Sequence, residues 1–250
     1  DHNTMHPGIW MAFGDLDGAD FWRNKARIVH QEFLQEPIGG VGEGSFATEK
    51  QYLRADGSLI CTEHFRCSVH VAEGGYLLTW DATFRSDREF YFGDQEEMGL
   101  GVRLATSIAV VSDQGGRILD SKGRRNGQAV WGKTADWCDY SGPIEGKFAG
   151  ITVMQHSDNV RPCWWHARDY GFRAANSFGR AAFHAGPPSK VVVRPNTPMR
   201  LQFGLLIHVN EEEDDVDLAV AYRDYLAMCK TYRSGVRSCP PPMNGLHKPK

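Results

Sequence analysis

Apolar and polar side chains alternate along much of this chain, and this alternation constrains its fold more than any other feature. Between Leu59 and Val71 the odd-numbered positions are mostly apolar and the even-numbered positions mostly polar, as where Phe65 stands between His64 and Arg66. A period of two places the apolar side chains on one face of a β-strand, so this segment predicts a long, half-buried strand. The pattern recurs in Leu77–Phe84, Leu100–Val111, Phe148–Gln155 and Met199–Val209.

Glycine-containing turns separate the predicted strands, and Asn126-Gly127 is typical of a two-residue hairpin turn. Many strands joined by such turns predict an all-β fold, a large antiparallel β-sandwich. One C-terminal helix is predicted from Asp214 to about Thr231, because apolar residues recur there at helical spacing and Asp214 or Asp215 can cap it. Residues 1–250 contain no clear linker, so we expect a single domain with 233–250 as a loose tail.

Charge and apolar content restrict the partners of the chain. The formal net charge is −3 over 250 residues, which argues against nucleic acid because such proteins usually present a basic face. The sequence has no run of about 18 or more apolar residues, so we expect a soluble protein without a membrane span. The sequence starts at Asp1, which leaves the compartment open between the cytoplasm and export with a signal peptide removed.

Three segments combine aromatic rings with carboxylates, amides, imidazoles and guanidinium groups: "DHNTMHPGIWMAFGDLDGADFW", "WGKTADWCDYSG" and "MQHSDNVRPCWWHARDYG". Sugars offer apolar C–H faces to aromatic rings and hydroxyl groups to polar side chains, so this mixture is typical of a sugar site. Tryptophans that fill the sandwich core are the alternative interpretation. The residues predicted to contact a substrate are Trp10, Arg103, Asp139, Asn159, Trp165, His166 and Tyr170.

Two histidines near the start of the chain, His2 and His6, have three interpretations. With a third ligand they would suit zinc or a similar metal, but Pro7 and Gly8 disfavour the helix that would align both rings. They can also belong to a polar loop without a role, or contact the substrate and transfer protons near neutral pH. The predicted catalytic residues are His2, His6, Glu97 and His156.

Three charged residues on predicted strands carry further expectations. Glu63 lies on the apolar face of its strand, and a buried carboxylate is costly unless it is paired or functional. Arg103 alternates with small residues and suits a substrate oxygen or carboxylate, because its guanidinium group is planar. A structural salt bridge is an equal alternative for Glu97 and Arg103.

Four ordered segments resemble one known family. They are "DHNTMHPGIWMAFGDLDGADFW", "EEMGLGVRLA", "GKTADWCDYSG" and "GITVMQHSDNVRPCWWHARDYGFRAANSF", within the stretch from Asp1 to Val209. On this ground the chain is identified as a member of the PmoA-like family, the domain of unknown function 6807, which carries the label methane oxygenase PmoA. The resemblance implies a fold similar to the large β-sandwich of galactose mutarotase-like proteins, which use His and Glu residues of the concave sheet on a sugar. It also implies that strands preceding Asp1 in the family are missing here.

Members of this family tend to occur beside sugar oxidoreductases, which implies a role in bacterial breakdown of glycans or oxidised sugars. Three functions stay open. The first is an enzyme with His/Glu acid-base chemistry on a glycoside or keto sugar, of hydrolase, lyase or epimerase type. The second is a non-catalytic carbohydrate-binding module with Trp10, Trp164 and Trp165 as platforms. The third is a metal-dependent oxygenase or hydrolase at His2 and His6. We therefore expect a carbohydrate or other small-molecule substrate and no cofactor, with a divalent metal only in the third case.

Overall fold

The computed structural model describes residues 6–72, 74–213 and 215–233, with 231–233 described in their backbone only. Within these ranges the chain forms fourteen β-strands and two α-helices. The strands are β1 (Ile9–Phe13), β2 (Arg27–Gly40), β3 (Glu43–Leu53), β4 (Leu59–Ala72), β5 (Gly75–Arg85), β6 (Phe90–Phe92), β7 (Met98–Arg103), β8 (Arg117–Asp120), β9 (Trp137–Ile144), β10 (Lys147–Gln155), β11 (Trp164–Arg168), β12 (Phe172–Asn176), β13 (Val191–Val193) and β14 (Met199–Asn210). The helices are α1 (Asn126–Val130) and α2 (Leu218–Arg233).

The strands form two main sheets in which all neighbours are antiparallel. The large sheet has eight strands in the order β2-β3-β4-β5-β14-β10-β9-β8, and the small sheet has four in the order β1-β7-β12-β11. A further pair joins β13 to β6. The predicted all-β antiparallel architecture with one C-terminal helix is therefore confirmed.

The main hydrophobic core lies between the facing sides of the two sheets. Phe13 and Leu100 from the small sheet and Phe84 and Phe203 from the large sheet are almost completely buried there. The rings of Phe13 and Phe84 meet edge to face with centroids 5.6 Å apart. Each such ring contributes about 1.5–3 kcal/mol of stability through burial. This arrangement leaves the opposite, outer face of each sheet for other partners.

The buried carboxylate predicted on the apolar face of β4 is paired. Glu63 is fully buried on the core side of the large sheet. It accepts a hydrogen bond of 2.9 Å from the Tyr52 hydroxyl and lies 3.4 Å from the Lys50 ammonium group. The pairing offsets the cost of burying the charge.

The C-terminal helix α2 packs on the outer face of the large sheet, where Tyr225 and Ala221 contact Leu206 and Met154. It begins at Leu218 and not at Asp214, so the predicted start and caps are wrong. Asp217 caps the helix, because its Oδ1 accepts the N–H groups of residues 219 and 220. No helix in the described ranges is both long and apolar enough to cross a membrane.

Two local predictions are wrong because tertiary contacts override the sequence pattern. The predicted strand Leu100–Val111 ends at Arg103, and 3-10 turns follow at Thr106–Ile108 and Val110–Ser112. The second turn is held by the Tyr140 hydroxyl, which accepts the N–H of Val110 at 3.0 Å. Asn126-Gly127 opens α1 and does not form a hairpin, because the Gly127 N–H donates to Asp169 Oδ1 at 2.7 Å.

Candidate functional site

One row of residues crosses the outer face of the small sheet. Trp10 lies opposite Gly101, Gly101 opposite Ala174, and Ala174 opposite His166. Directly opposed residues of antiparallel strands point to the same face of a sheet. The indole and the imidazole therefore stand at the two ends of the row, with a glycine and an alanine between them. Three strand spacings separate the end Cα atoms, about 14 Å in all.

The glycine in this row makes room for the indole. A Cβ atom at Gly101 would lie 2.4 Å from ring atoms of Trp10, so the ring rests directly against the backbone of β7. The Trp10 Nε1 atom is buried and has no hydrogen-bond partner among the described residues. An unpaired buried donor is costly, so this N–H is available for a ligand acceptor.

Further aromatic rings surround Trp10. His6 stacks on Trp10 with centroids 4.8 Å apart and an angle of 28°, and Phe172 stacks on the same indole with centroids 6.0 Å apart and an angle of 18°. The His6 Nε2–H donates to the Trp22 carbonyl oxygen at 2.7 Å, which fixes the tautomer of that imidazole. We use the term outer-face cluster for His6, Trp10, Trp22, Glu96, Arg103, Trp131, His166, Arg168, Tyr170 and Phe172.

A second row, one pleat along, holds the cationic part of the cluster. Arg103 lies opposite Phe172, and Phe172 opposite Arg168. The Arg103 guanidinium carbon lies 5.2 Å from the ring centroids of both Tyr170 and Phe172. Such cation–π contacts hold the guanidinium plane against an apolar surface.

His166 is the most deeply buried polar member of the cluster, with an exposed fraction of 4%. Burial, reinforced by the positive charge of Arg168, lowers the pKa of His166 to about 3, although Glu97 acts in the opposite direction. The imidazole is therefore neutral at pH 7. The ring is hydrogen-bonded to the backbone of Glu96, and no side chain among the described residues makes an aligned hydrogen bond to it, so one ring nitrogen is left for a ligand.

A carboxylate that the sequence analysis did not single out, Glu96, lies beside His166. Its Oε1 accepts 2.6 Å hydrogen bonds from Trp131 Nε1 and Arg168 Nη2, and the same oxygen lies 3.1 Å from His166 Nε2. Two side chains of β11, from His166 and Arg168, and the indole of Trp131 thus surround one carboxylate oxygen. The sequence signal was present, since Glu96 adjoins Glu97 and Arg168 is two residues from His166.

The predicted carboxylate, Glu97, is engaged in an ion pair. Its Oε2 accepts a 2.6 Å hydrogen bond from Arg23 Nη2, and Arg23 also donates to Asp20 at 3.2 Å. The negative charge of Glu97 acts to raise the pKa of His166, against the larger effect of burial. The structural salt bridge considered for Glu97 is therefore present, with Arg23 as its partner.

Two other predicted residues, His156 and Asn159, lie on the far side of the large sheet, beside α2. His156 Nδ1 accepts the N–H of Asp158 at 3.1 Å, and its ring meets the Tyr225 ring edge-on at 6.1 Å. The Asn159 Nδ2 amide donates to the Gln202 carbonyl oxygen at 3.0 Å, and Asn159 Oδ1 accepts the Gln202 N–H at 2.8 Å. The structure does not bring these two residues to the outer-face cluster.

Trp165 and Asp139 also lie away from the cluster. Trp165 is completely buried on the core side of β11. Asp139 is completely buried on the large sheet, where it accepts bonds from His208 Nε2 at 3.0 Å and Thr152 Oγ1 at 2.8 Å. Burial alone would raise the pKa of Asp139, but the adjacent His208 lowers it to about 2. This network joins β9, β10 and β14.

The predicted metal alternative depends on a residue that the structure does not describe. His2 lies outside the described residues, so a site formed by His2 and His6 stays a prediction. Within the described part of the chain, no group of three or more His, Cys, Asp or Glu side chains could hold a metal ion.

Fold and site together define an antiparallel β-sandwich protein with an aromatic, histidine-containing cluster on the outer face of its smaller sheet. The chain belongs to the DUF6807 family, a family of unknown function, whose profile matches residues 1–222. No curated protein matches the sequence.

Two solved structures resemble the chain at low sequence identity. One is described as a kojibiose phosphorylase from the human microbiome, with 10% identity, 92% of this chain covered and a TM-score of 0.43. The chain spans only 25% of that protein. The other is a galactose mutarotase related enzyme from Lactobacillus acidophilus, with 13% identity, 78% of this chain and 75% of that chain covered, and a TM-score of 0.31.

Proposed function

We propose that the outer-face cluster binds a carbohydrate and that the protein is a carbohydrate-active enzyme. The observation that carries this proposal is the pair of polar rings on one row, Trp10 with its unpaired Nε1 and His166 without an aligned side-chain hydrogen bond among the described residues. Gly101 and Ala174 lie between them, so the strand carrying Gly101 and the strand carrying His166 are about 10 Å apart. One sugar ring with its hydroxyl groups fills such a gap, and its oxygens would satisfy both ends.

The aromatic surface suits the apolar side of the same ligand. Trp10 and Phe172 present stacked rings next to the polar groups. Sugar C–H faces pack on such rings while the hydroxyl groups at the rim reach hydrogen-bonding side chains. Arg168, with a side chain 39% exposed, lies between solvent and the Glu96 carboxylate with which it pairs beside His166. A ligand therefore reaches His166 by displacing the Arg168 side chain.

The chemistry assigns different roles to the two polar residues at the end of the row. Neutral His166 orients a substrate hydroxyl or carbonyl group, because its low pKa prevents it from exchanging a proton near pH 7. Glu96, 3.1 Å away, is the carboxylate placed to transfer the proton. Hydrolysis, elimination and epimerisation on a glycoside or keto sugar all need such a group.

The test is binding and turnover with a panel of glycosides and 3-keto-glycosides, measured by calorimetry and NMR. We expect His166→Gln to weaken binding about tenfold, because it removes one oriented hydrogen-bonding ring. Glu96→Gln should leave binding nearly unchanged and lower turnover about 10²-fold or more.

The large sheet supplies matched control variants. His64 Nε2 lies 2.8 Å from Glu49 Oε2, and Arg85 donates to the same oxygen at 3.3 Å, so the trio has the composition of His166, Glu96 and Arg168. His64→Gln and Glu49→Gln should leave both readouts unchanged. The proposal would be contradicted if substitutions in the two trios reduced binding and turnover equally, or if His166→Gln bound the sugar as tightly as the wild type.

A non-catalytic carbohydrate-binding module is the second candidate function. It is favoured by the low pKa of His166, since a histidine that stays neutral serves recognition better than proton transfer. Binding by the wild type without turnover of any panel member, and with equal affinity in Glu96→Gln, would select this alternative.

A further inference from the structure

A pocket of about 510 Å³ lies beside α2 on the outer face of the large sheet. It shares no residue with the outer-face cluster, which belongs to the small sheet. Its volume lies in the range of small-molecule sites, about 300–1,000 Å³. A crevice between a helix and a sheet is ordinarily lined with apolar side chains, yet this one is lined mainly by hydroxyl, amide and charged groups.

Two rows of side chains form the floor of this pocket. In the first row Arg66 lies opposite Asp81, and Asp81 opposite Gln202. In the next row Ser68 lies opposite Thr79. Residues directly opposed on antiparallel strands share a face, so guanidinium, carboxylate, amide and hydroxyl groups form one polar surface.

The second row continues to Gly204, which lies opposite Thr79, and Tyr225 of α2 covers it there. Its ring rests on Gly204, where a Cβ atom would lie 2.7 Å from the ring. Tyr225 is completely buried, and its hydroxyl is hydrogen-bonded to the side chain of Cys229 on the same helix. Burial keeps the pKa of Tyr225 well above its ordinary value, so the hydroxyl stays protonated as a donor. Tyr225 and Cys229 therefore form the helix side of the pocket, and the polar groups left for a ligand are those of the two rows.

The charges in the pocket favour an anion. Two guanidinium groups, from Arg66 and Arg200, face the single carboxylate of Asp81. Arg200 Nε already donates to Asp81 Oδ1 at 2.7 Å, which neutralises that carboxylate. Arg66 is oriented by a 2.9 Å bond from its Nη1 to Gln35 Oε1. The Arg66 guanidinium group is therefore the positive charge in the pocket lining that has no carboxylate of its own there.

We propose that this pocket is a second ligand site, and that it binds a sugar acid of one ring. The carboxylate would bind the planar fork of Arg66, since the geometry of guanidinium suits two carboxylate oxygens. The ring hydroxyls would meet Ser68, Thr79 and the Gln202 amide. This site is separate from the outer-face cluster and does not depend on the function proposed for that cluster.

The experiment compares the binding of galacturonate, galactose and galactose 1-phosphate to the whole chain by calorimetry. We expect galacturonate to bind at least about tenfold more tightly than galactose, because only the acid engages the guanidinium group. Arg66→Gln should abolish this difference. Arg66→Lys, which keeps the charge without the planar fork, should retain part of it.

The hydroxyl row under α2 is tested by Thr79→Val, which removes a hydroxyl group and should weaken galacturonate binding about threefold to tenfold without lowering thermal stability. Matched controls are Tyr222→Phe on the same helix and Arg85→Gln on the same sheet, neither of which lines this pocket. Both controls should bind as the wild type does.

Three results would overturn the proposal. They are no galacturonate binding at millimolar concentration, equal affinity in Arg66→Gln and wild type, or loss of binding in His166→Gln. The last result would place the acid in the outer-face cluster. Tighter binding of galactose 1-phosphate that depends equally on Arg66 would overturn the carboxylate assignment in favour of a phosphate ester.

Discussion

His166 Nε2 lies 3.1 Å from Glu96 Oε1 without making an aligned hydrogen bond to it. The carboxylate oxygen is already bound by Trp131 and Arg168, each at 2.6 Å. The imidazole is thus held beside a charged group, with the backbone of Glu96 as its hydrogen-bond partner and one ring nitrogen left over. A polar ligand that replaces Arg168 at this point would complete the hydrogen bonds of both side chains.

The neutral state of His166 gives a prediction about pH. The pKa of this histidine is lowered from 6.5 to about 3 in the folded state, so the unfolded chain takes up the proton first as the pH falls. Folded stability should therefore decline between pH 6.5 and 3. His166→Gln should reduce that slope by about 1 kcal/mol per pH unit. Urea unfolding at several pH values measures the slope, and identical slopes in both proteins would contradict the assignment.

The contact between Trp10 and Gly101 gives a prediction about packing. Gly101→Ala places a Cβ atom 2.4 Å from the indole ring, so the ring must move away from β7. We expect a loss of about 1–3 kcal/mol in the free energy of unfolding and a shifted tryptophan emission. Gly40→Ala is the matched control, because a Cβ atom at that strand glycine meets nothing within 4 Å. Equal effects of the two substitutions would show that Trp10 does not rest on Gly101.

The buried Asp139 gives a prediction about acid stability. Its pKa is lowered from 3.8 to about 2, so its stabilising contribution is present above pH 3.8 and is lost as the pH falls through 2. The shift corresponds to about 2 kcal/mol. Asp139→Asn should be less stable than the wild type at pH 7 and should lose less stability between pH 4 and pH 2, while exposed Asp87→Asn should match the wild type. If Asp139→Asn lost as much stability as the wild type between pH 4 and pH 2, the acid sensitivity would belong to another group.

The sequence predicted the repeating strands because a period of two is local, and Leu59–Val71 corresponds to β4 (Leu59–Ala72). It failed after Arg103, where the alternation continues although the Tyr140 hydroxyl, distant in the sequence, holds a 3-10 turn. Contacts of this kind depend on how strands pair and cannot be read from one segment.

The candidate site shows the same limit. The aromatic and polar composition indicated His6, Trp10, Arg103, His166 and Tyr170, which the small sheet brings to one face. It could not choose Glu96 over Glu97, since both precede β7 and only the positions of Arg23 and Arg168 separate them. Nor could it place Asp139 with His208, because strand order alone joins them.

The central claim is that Trp10 and His166 bind opposite ends of one sugar. The most direct measurement is a sugar titration followed by NMR of the Trp10 indole N–H and the His166 ring, with assignments from Trp10→Phe and His166→Gln. The account predicts that both signals shift together, with one dissociation constant, and that each variant moves the response of the other residue to about tenfold higher sugar concentration. Sugar binding that shifts other residues while both of these signals stay fixed would contradict it.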